Sequence, residues 1–423
     1  MIQQITKRVT DHPAVKHLGP GLITGAADDD PSGIATYSQA GAQFGFNMLW
    51  TMLLTYPLMT TMQMISARLG CLTGKGLAAN IKATFPGWVL WGVVALLTVA
   101  NTINIAADIA AMGEAAHLMI GGSPQLYSIG FGLVCLGLQV FLSYKTYVRY
   151  LKWLTLALLS YVAVAFMSNV NWLDVLKGTL LPHVEWNSDT ITIIVAVLGT
   201  TISPYLFFWQ AAQEMEDLRA TGNGHHKPKG DVARRHLTRI KWDSAIGMGF
   251  SNLVAFFIIL STAATLHATG LTKIETSAQA AEALRPMAGH FAFLLFSLGI
   301  IGTGMLAVPV LAGSAAYAVT ETLEWESGLD KKLYEAKGFY AIVAIATLGG
   351  VVFNFTPIDP IKALLFSAVV NCVIAVPIMV VMMILGTRHE TMGHFVIGKQ
   401  LRVMGWLTTA VMAVAVVAMI WTL

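Results

Sequence analysis

The sequence predicts an all-α, polytopic membrane protein with about eleven transmembrane helices. Of its 423 residues, 56% are hydrophobic and only 12% are charged, and the mean hydropathy is +0.66. A soluble domain carries about twice that charged fraction, and one globular core could not bury so much apolar surface. The apolar runs approach or exceed the roughly 20 residues of a spanning helix, and they do not alternate in polarity as barrel strands do. Most of the chain is therefore predicted to lie in lipid.

The apolar runs divide into eleven predicted spans, of which the first and the sixth contain a proline and polar residues. The spans are residues 18–42, 46–70, 87–119, 126–144, 148–168, 190–215, 240–267, 289–320, 336–355, 361–386 and 400–423. Lys and Arg concentrate in the loops that are cytoplasmic if the N-terminus is, above all in the basic loop 217–240. We therefore expect a multi-pass protein of the plasma (inner) membrane with a cytoplasmic N-terminal tail, residues 1–17.

The two proline-containing spans indicate an internal repeat. Pro31 lies in the first predicted span and Pro204 in the sixth. If each belongs to the first helix of a five-helix unit, residues 18–168 and 190–386 form two repeats, and the odd number of helices makes one repeat inverted relative to the other. Residues 400–423 are then an additional helix. The alternative is two unrelated proline kinks in ordinary helices.

Three consecutive carboxylates precede the proline of the first span, in the order Asp28, Asp29, Asp30, Pro31. Proline removes a helical hydrogen bond and disfavours helical geometry at the residue before it. A carboxylate at bilayer depth normally faces a cavity or a partner. We therefore expect a short unwound stretch with a free carbonyl around Ala27 and an exposed carboxylate at Asp30.

The sixth span has a similar interruption, in which hydroxyl side chains take the place of carboxylates. Thr200, Thr201 and Ser203 precede Pro204. Oxygen donors at both breaks, with no thiolate, thioether or imidazole evident there, favour a hard divalent cation such as Mg²⁺ or Mn²⁺. The candidate site residues are Asp30, the carbonyls at Ala27 and Thr200, the hydroxyls of Ser203 and Thr201, and Gly33, which leaves space for a hydrated ion.

At these residues the chain resembles the Nramp family of divalent metal-ion transporters, which have the LeuT-type fold. The resemblance runs from GPGLITGA in the first span to MGWL near the end, and so covers nearly the whole chain. The family carries Asp-Pro-Gly-Asn in its first helix, where residues 30–33 here read DPSG. It carries Met-Pro-His in its sixth helix, where residues 203–205 read SPY. The aspartate is retained, but the asparagine, methionine and histidine are replaced.

The missing methionine changes the substrate that the resemblance implies. In the family this thioether favours transition metals over Mg²⁺ and Ca²⁺, which the hydroxyl of Ser203 cannot do. The chain is most similar to the Nramp-related magnesium transporters, so the resemblance implies import of divalent cations, Mg²⁺ and Mn²⁺ favoured, by alternating access. Asn101, Ala111, Tyr205 and Gln210 stand where the family's proton route has carboxylates and histidines. The resemblance therefore implies weak or absent proton coupling.

Other polar residues of the predicted spans are candidates for a vestibule or for coupling. Asp28 and Asp29 could hold the ion's waters, cap the inner half-helix or remain solvated. Asn101 and Asn371 are equally well explained as hydrogen-bond partners between helices. We expect Glu214 and Glu216 to be solvated charges beside the basic loop. The vestibule and coupling candidates are Asp28, Asp29, Asp108, Asn101, Tyr205, Gln210 and Asn371.

Two further kinds of transporter and an enzyme are alternatives. A proton-coupled Mn²⁺ or Fe²⁺ symporter of the same family would acidify the vesicle lumen during uptake. A sodium-coupled symporter of organic solutes would share the fold but would leave Asp30 unexplained. An intramembrane enzyme would need a paired nucleophile and base or a His-rich metal site, and we predict no enzyme. We expect no cofactor besides the transported ion and no nucleic-acid partner, and a monomer in the lipid bilayer is compatible with the sequence.

Overall fold

The computed structural model describes residues 20–141, 154–168, 170–220, 228–355 and 359–422. Within these ranges the chain forms helices and connecting loops, and no β-strand occurs in them. The predicted all-α class is confirmed. The predicted N-terminal tail, the first part of the fifth predicted span and the centre of the basic loop lie outside the described residues.

The α-helices of the described part differ widely in length, from one turn to more than thirty residues. In chain order they are α1 (Pro20–Asp28), α2 (Pro31–Phe44), α3 (Trp50–Thr73), α4 (Leu77–Thr84), α5 (Gly87–Ile120), α6 (Pro124–Phe141), α7 (Leu159–Met167), α8 (Trp172–Leu180), α9 (Ser188–Thr201), α10 (Pro204–Leu218), α11 (Gly230–Thr265), α12 (Ser277–Glu282), α13 (Arg285–Ala288), α14 (Ala292–Leu323), α15 (Lys337–Phe353), α16 (Pro360–Thr387), α17 (His389–Met392) and α18 (Lys399–Thr422).

Seven helical segments of the described chain are long and apolar enough to cross a bilayer. They are α5, α6, α9 together with α10, α11, α14, α16 and α18. Helix α3 is long enough at 24 residues but carries several threonines, and α15 has 17 residues. The first predicted span is divided between the short helices α1 and α2. The count of eleven spans and the inverted repeats stay predictions.

The broken helices lie at the centre of the bundle. In the segment Ser188–Leu218, which comprises α9 and α10, 89% of the most apolar window is buried within the protein. The corresponding fraction is 22% for α6 and 33% for α18, so these two helices present most of their surface outward. Helix α2 is buried from Pro31 through Ala42. Protein rather than lipid therefore surrounds both breaks, which the cost of polar groups in hydrocarbon requires.

Small residues hold α1 directly against α11, along a contact that we call the glycine seam (Gly21, Gly25, Asp243 and Gly247). An ideal Cβ at Gly25 would lie 2.5 Å from the carbonyl carbon of Gly247, and one at Gly21 would lie 2.9 Å from that of Asp243. Gly21 faces Asp243, and four residues later on both helices Gly25 faces Gly247, so α1 and α11 run parallel. Small residues one turn apart allow such backbone contact between membrane helices. The glycine seam therefore fixes the position of the first break along the axis of α11.

The second broken helix is held by contacts of the same kind. An ideal Cβ at Gly199 of α9 would lie 2.7 Å from the backbone nitrogen of Cys372 on α16. One at Gly70 of α3 would lie 2.8 Å from the backbone of Ala211 on α10. No side chain larger than hydrogen fits at either position without a shift of the neighbouring helix. Both halves of this broken helix are thus positioned by close backbone packing.

Candidate cation-binding site

The first break lies between α1, which ends at Asp28, and α2, which begins at Pro31. Asp30 is the N-cap of α2 and has an extended backbone (φ −73°, ψ 171°). Its Oδ1 accepts a 2.7 Å hydrogen bond from the backbone N–H of Gly33. Proline suits the first helical position because the N–H that it lacks would have no partner there. The capping bond uses only one of the two carboxylate oxygens of Asp30, which leaves Oδ2 for another partner.

The second break lies between α9, which ends at Thr201, and α10, which begins at Pro204. Ser203 occupies the N-cap position of α10, but its hydroxyl lies 2.9 Å from the carbonyl oxygen of Thr200 and donates back toward α9. The hydroxyl of Thr201 likewise donates to the carbonyl of Val197 at 2.7 Å. These protons point into α9, so each hydroxyl can offer a ligand only its oxygen lone pairs.

Oxygen atoms from the first break converge on the hydroxyl of Tyr205. This hydroxyl lies 3.3 Å from the carbonyl oxygen of Ala27 and 3.2 Å from Oδ2 of Asp30. Thr200 approaches from the second break, since an ideal Cβ at Gly33 would lie 3.3 Å from its hydroxyl oxygen and 3.5 Å from Oδ1 of Asp30. The structure therefore brings four of the predicted site residues together, namely Ala27, Asp30, Gly33 and Thr200. The hydroxyl of Tyr205 lies among them.

The site is closed to water from both ends of the bundle. Ala27, Asp30 and Thr200 are each 2% exposed. Two separate cavities lie elsewhere in the bundle, and neither is lined by Ala27, Asp30 or Thr200. One of about 570 Å³ is lined by Glu114 among others, and one of about 550 Å³ is lined by Glu321 among others. The conformation is thus an occluded one, and an ion could reach or leave the site only after the helices move.

Asp28 and Asp29 lie behind the site and face α11. The hydroxyl of Ser251 lies 2.6 Å from Oδ2 of Asp28 and 3.0 Å from Oδ1 of Asp29. Asp28 is fully buried and Asp29 is 2% exposed, so the alternative in which they remain solvated is wrong. A single hydroxyl proton serves two carboxyl groups here, so it can satisfy only one of their oxygens at a time.

Asp108 lies on α5 beside the first break. It is fully buried, and within the described part no donor reaches full hydrogen-bond geometry with its carboxylate oxygens, although the backbone N–H of Ser32 lies beside them. Ser32, whose backbone N–H it faces, lies in the first turn of α2. A buried carboxylate without a well-aligned donor needs a cation or a proton close by. Asp108 therefore lies in the surroundings of the site, and its role in coupling or in the vestibule stays a prediction.

The asparagines of α5 join helices to one another. The side-chain amide of Asn101 donates to the carbonyl of Leu311 at 2.8 Å, which ties α5 to α14. The amide of Asn104 donates to the side-chain oxygen of Asn371 at 2.8 Å, which ties α5 to α16. These contacts match the interpretation of Asn101 and Asn371 as partners between helices.

A chain of polar contacts runs from Gln210 toward the basic loop. The side chain of Gln210 accepts from the hydroxyl of Thr24 on α1 and donates to Glu214 at 3.3 Å. Glu214 is paired with Arg239 of α11, and its side chain has no exposed surface. The expectation that Glu214 would be solvated is wrong, because Arg239 compensates its charge inside the protein.

The second glutamate of α10 is partly buried, and its carboxylate is held by hydrogen bonds within the protein. The carboxylate of Glu216 accepts from the hydroxyl of Tyr317 on α14, and from the backbone N–H of Leu329 at 3.0 Å. The expectation of a solvated Glu216 is therefore wrong as well. Sequence alone could not show this, because both donors lie about a hundred residues further along the chain.

Removal of Arg239 is expected to destabilise the protein through Glu214. Arg239→Gln leaves the buried carboxylate without its charge partner, and the free energy of unfolding should fall by about 3 kcal/mol. The pair between Lys177 and Asp174 is a matched control, since its side chains are 62% and 52% exposed. Lys177→Gln should change stability by less than about 0.5 kcal/mol. Thermal unfolding of the detergent-solubilised variants measures both, and equal melting temperatures would contradict the prediction.

The donor set fits a divalent cation that is held loosely. Among the residues that the structure describes, no group of three or more His, Cys, Asp or Glu side chains is arranged to hold a metal ion. The oxygens at the break are the carboxylate of Asp30 and the carbonyl of Ala27, with Thr200 beside them. Hard oxygen donors suit Mg²⁺ and Mn²⁺, and a shell so incomplete would be filled by water.

Two residues near the site were missed from the sequence. Ser251 contacts Asp28 and Asp29, and its only signal was its place one turn after Gly247 in a small-residue stretch. The second is Met112, whose sulfur would lie 2.7 Å from an ideal Cβ at Gly304, while Cγ of Pro31 would lie 3.3 Å from the same Cβ. A thioether is thus packed beside the first break, although it comes from α5.

Comparison with known protein families shows to which family this chain belongs. The sequence profile of the family described as natural resistance-associated macrophage protein-like (Nramp) matches residues 21–422. The chain belongs to the Nramp family. This Nramp protein is 26% identical over 405 residues to the divalent metal cation transporter MntH of Klebsiella pneumoniae (strain 342), which covers 93% of this chain and 91% of that protein.

Solved structures show the same fold. The crystal structure of the Eremococcus coleocola manganese transporter in complex with an aromatic bis-isothiourea substituted compound matches this Nramp protein with a TM-score of 0.74 at 17% identity. The match covers 94% of this chain and 85% of that one. Mhp1, a nucleobase-cation-symport-1 family transporter, matches with a TM-score of 0.56 at 13% identity, covering 96% and 92%. The predicted LeuT-type fold is confirmed, and these relatives are transporters rather than enzymes.

Proposed function

We propose that this chain imports divalent metal cations, with Mg²⁺ and Mn²⁺ favoured, by alternating access and with weak or no proton coupling. The transported ion is the substrate and no further cofactor is required. Asp30 is its anchoring ligand, the carbonyls of Ala27 and Thr200 and the oxygen of Ser203 complete the protein's share, and water supplies the rest. The N-terminus lies in the cytoplasm, and the membrane is the plasma (inner) membrane.

One observation carries this proposal. At the crossing of two broken helices, the carboxylate of Asp30 and the carbonyl of Ala27 approach the same point, occupied by the hydroxyl of Tyr205. Two oxygens that converge on one point, one of them charged, are what a cation of hard character requires. Broken helices in two halves of a transporter are the usual place for such a site. The relative from Klebsiella pneumoniae, named a divalent metal cation transporter, supports the same class of substrate.

The preference for Mg²⁺ and Mn²⁺ rests on the chemistry of Ser203. A hydroxyl oxygen is a hard donor, whereas a thioether at this position would favour softer transition metals. The relative whose structure is known is named a manganese transporter, which fits the Mn²⁺ part of the proposal. The departure from the family's Met-Pro-His at residues 203–205 supports the Mg²⁺ part.

A proton-coupled Mn²⁺ or Fe²⁺ symporter is the second candidate function. Asp108 favours it, because a buried carboxylate without a well-aligned hydrogen-bond donor beside the first break is suited to carry a proton. The sulfur of Met112 near Pro31 also favours a transition metal. Against it stand Tyr205 and Gln210, which replace side chains that titrate near neutral pH.

Uptake into proteoliposomes distinguishes the two functions. Mg²⁺- and Mn²⁺-sensitive dyes inside the vesicles report the cations, and a pH dye in a parallel sample reports protons. Uptake of both ions without acidification supports the proposal. Mn²⁺ uptake with acidification and without a Mg²⁺ signal would replace it by the proton-coupled symporter. Empty vesicles with a divalent-cation ionophore calibrate the full signal of each dye.

A thioether in place of the Ser203 hydroxyl is expected to change ion selectivity. In Ser203→Met a soft donor enters the second break, and Cd²⁺ should inhibit Mn²⁺ uptake about tenfold more strongly while Mg²⁺ uptake falls. Ser203→Ala is the matched control, since it removes the hydroxyl without adding sulfur. Equal Cd²⁺ inhibition of the wild-type protein and Ser203→Met would show that residue 203 does not contact the ion.

A further inference from the structure

The hydroxyl of Tyr205 occupies the place between two proposed ligands of the transported ion. Tyr205 is fully buried and is the second residue of α10, directly after the break. Its hydroxyl is within 3.3 Å of both the Ala27 carbonyl oxygen and Oδ2 of Asp30. A phenol has one proton to donate, and both neighbours accept. This proton therefore faces the two oxygens that a cation would bind.

An empty, closed site needs such a donor. The conformation is occluded, with Asp30 and Ala27 each 2% exposed, so their oxygens are shielded from bulk water. The N–H of Gly33 serves Oδ1 of Asp30, and the hydroxyl of Tyr205 is the donor to Oδ2. Burial of a carboxylate oxygen without a donor is unfavourable, so loss of the donor would raise the free energy of the closed state of the empty protein.

We propose that Tyr205 takes the place of the cation when the carrier is empty, and so allows the empty site to close. This rests on the transport function proposed above and assigns Tyr205 as a positioning residue that acts through Asp30 and Ala27. When an ion enters, its charge replaces the phenol proton at the two oxygens. When it leaves, the hydroxyl returns to them, and the bundle can pass through the occluded state without an ion.

Net uptake and exchange depend differently on this step. An uncoupled carrier that delivers an ion must return empty before it can deliver another. In exchange, an ion is carried in both directions, and the empty protein never has to cross the occluded state. A residue that acts only on the empty closed state therefore affects net uptake and leaves exchange intact. A residue that binds the ion, or holds the fold together, affects both.

The test compares Tyr205→Phe with the wild-type protein in proteoliposomes, using radioactive Mn²⁺ as the probe. Net uptake is measured with vesicles free of divalent cations, and exchange with vesicles that contain excess unlabelled Mn²⁺. The variant lacks the hydroxyl donor to Oδ2 of Asp30, so we expect its initial rate of net uptake to fall about tenfold or more, with exchange within about twofold of the wild type. Tyr161→Phe, at a tyrosine on α7 that is 2% exposed, is the control and should leave both rates unchanged.

The outcomes separate this inference from the proposed function. A loss of net uptake alone supports it. Equal losses in both modes would overturn it in favour of a ligand or structural role, and unchanged net uptake would overturn it as well. If the wild-type protein moves Mn²⁺ in neither mode, the proposed transport function is wrong and the inference falls with it.

Discussion

Asp30→Asn is expected to lower the initial rate of Mn²⁺ and Mg²⁺ uptake by about 100-fold or more, which corresponds to roughly 2.7 kcal/mol. The amide keeps the shape of the side chain and can still accept the hydrogen bond from Gly33 that caps α2. It lacks the negative charge that compensates a divalent cation for the hydration free energy it loses on binding. The protein should therefore fold, close and fail to bind the ion.

The experiment requires a control for expression, folding and charge. Asp174→Asn removes a carboxylate that is 52% exposed on α8, and should leave uptake unchanged. Size-exclusion profiles and melting temperatures of both variants should match those of the wild-type protein. Uptake by Asp30→Asn within threefold of the wild-type rate would show that Asp30 does not anchor the ion.

Gly25→Ala is expected to lower the free energy of unfolding by about 1–3 kcal/mol. The added Cβ would lie 2.5 Å from the carbonyl carbon of Gly247, closer than real Cβ contacts. Because the obstacle is backbone rather than a flexible side chain, α1 must move away from α11. That movement would also shift Asp28 and Asp29 away from Ser251.

Gly92→Ala on α5 is the matched control for the glycine seam, because an added Cβ there meets no atom within 4 Å. In a helix interior, alanine is favoured over glycine, so this change should be neutral or slightly stabilising. Thermal unfolding in detergent measures both variants. A melting temperature of Gly25→Ala equal to that of Gly92→Ala would mean that α1 is not packed as tightly as the structure shows.

The helix breaks could be predicted because their causes are local. Proline excludes its own hydrogen bond and disfavours a helix at the preceding residue, so Pro31 and Pro204 restrict where a helix can end. The choice of Asp30 as ligand followed from the cost of a carboxylate at bilayer depth. The class of fold followed from composition and the length of the apolar runs.

The surroundings of the breaks could not be predicted because their causes are distant in sequence. Ser251 reaches Asp28 from 223 positions away, and the charge partner of Glu214 is Arg239, which lies on a different helix, α11. The hydroxyl of Tyr205 contacts Asp30 from 175 positions away. Helical periodicity assigns a residue to a face, but only packing decides which neighbour that face meets.

The directions of the hydroxyls near the second break also escaped prediction. Thr201 and Ser203 were chosen as oxygen donors from their residue types alone. In the structure both donate their protons to carbonyls of α9, the usual behaviour of hydroxyls at or near the end of a membrane helix. Ser203 keeps its oxygen at the break, while Thr201 is fixed against its own helix. Thr200, whose hydroxyl oxygen lies beside Gly33, is the stronger candidate of the three.

The most direct test of the account is to locate the cation itself. Crystals of the full-length protein soaked in Mn²⁺ would give an anomalous signal at the manganese absorption edge. We predict one strong peak between α1 and α10, within about 2.6 Å of a carboxylate oxygen of Asp30 and next to the carbonyl of Ala27. A strong peak at some other place, such as the cavity beside Glu114, with none at Asp30, would contradict the assignment of the transport site.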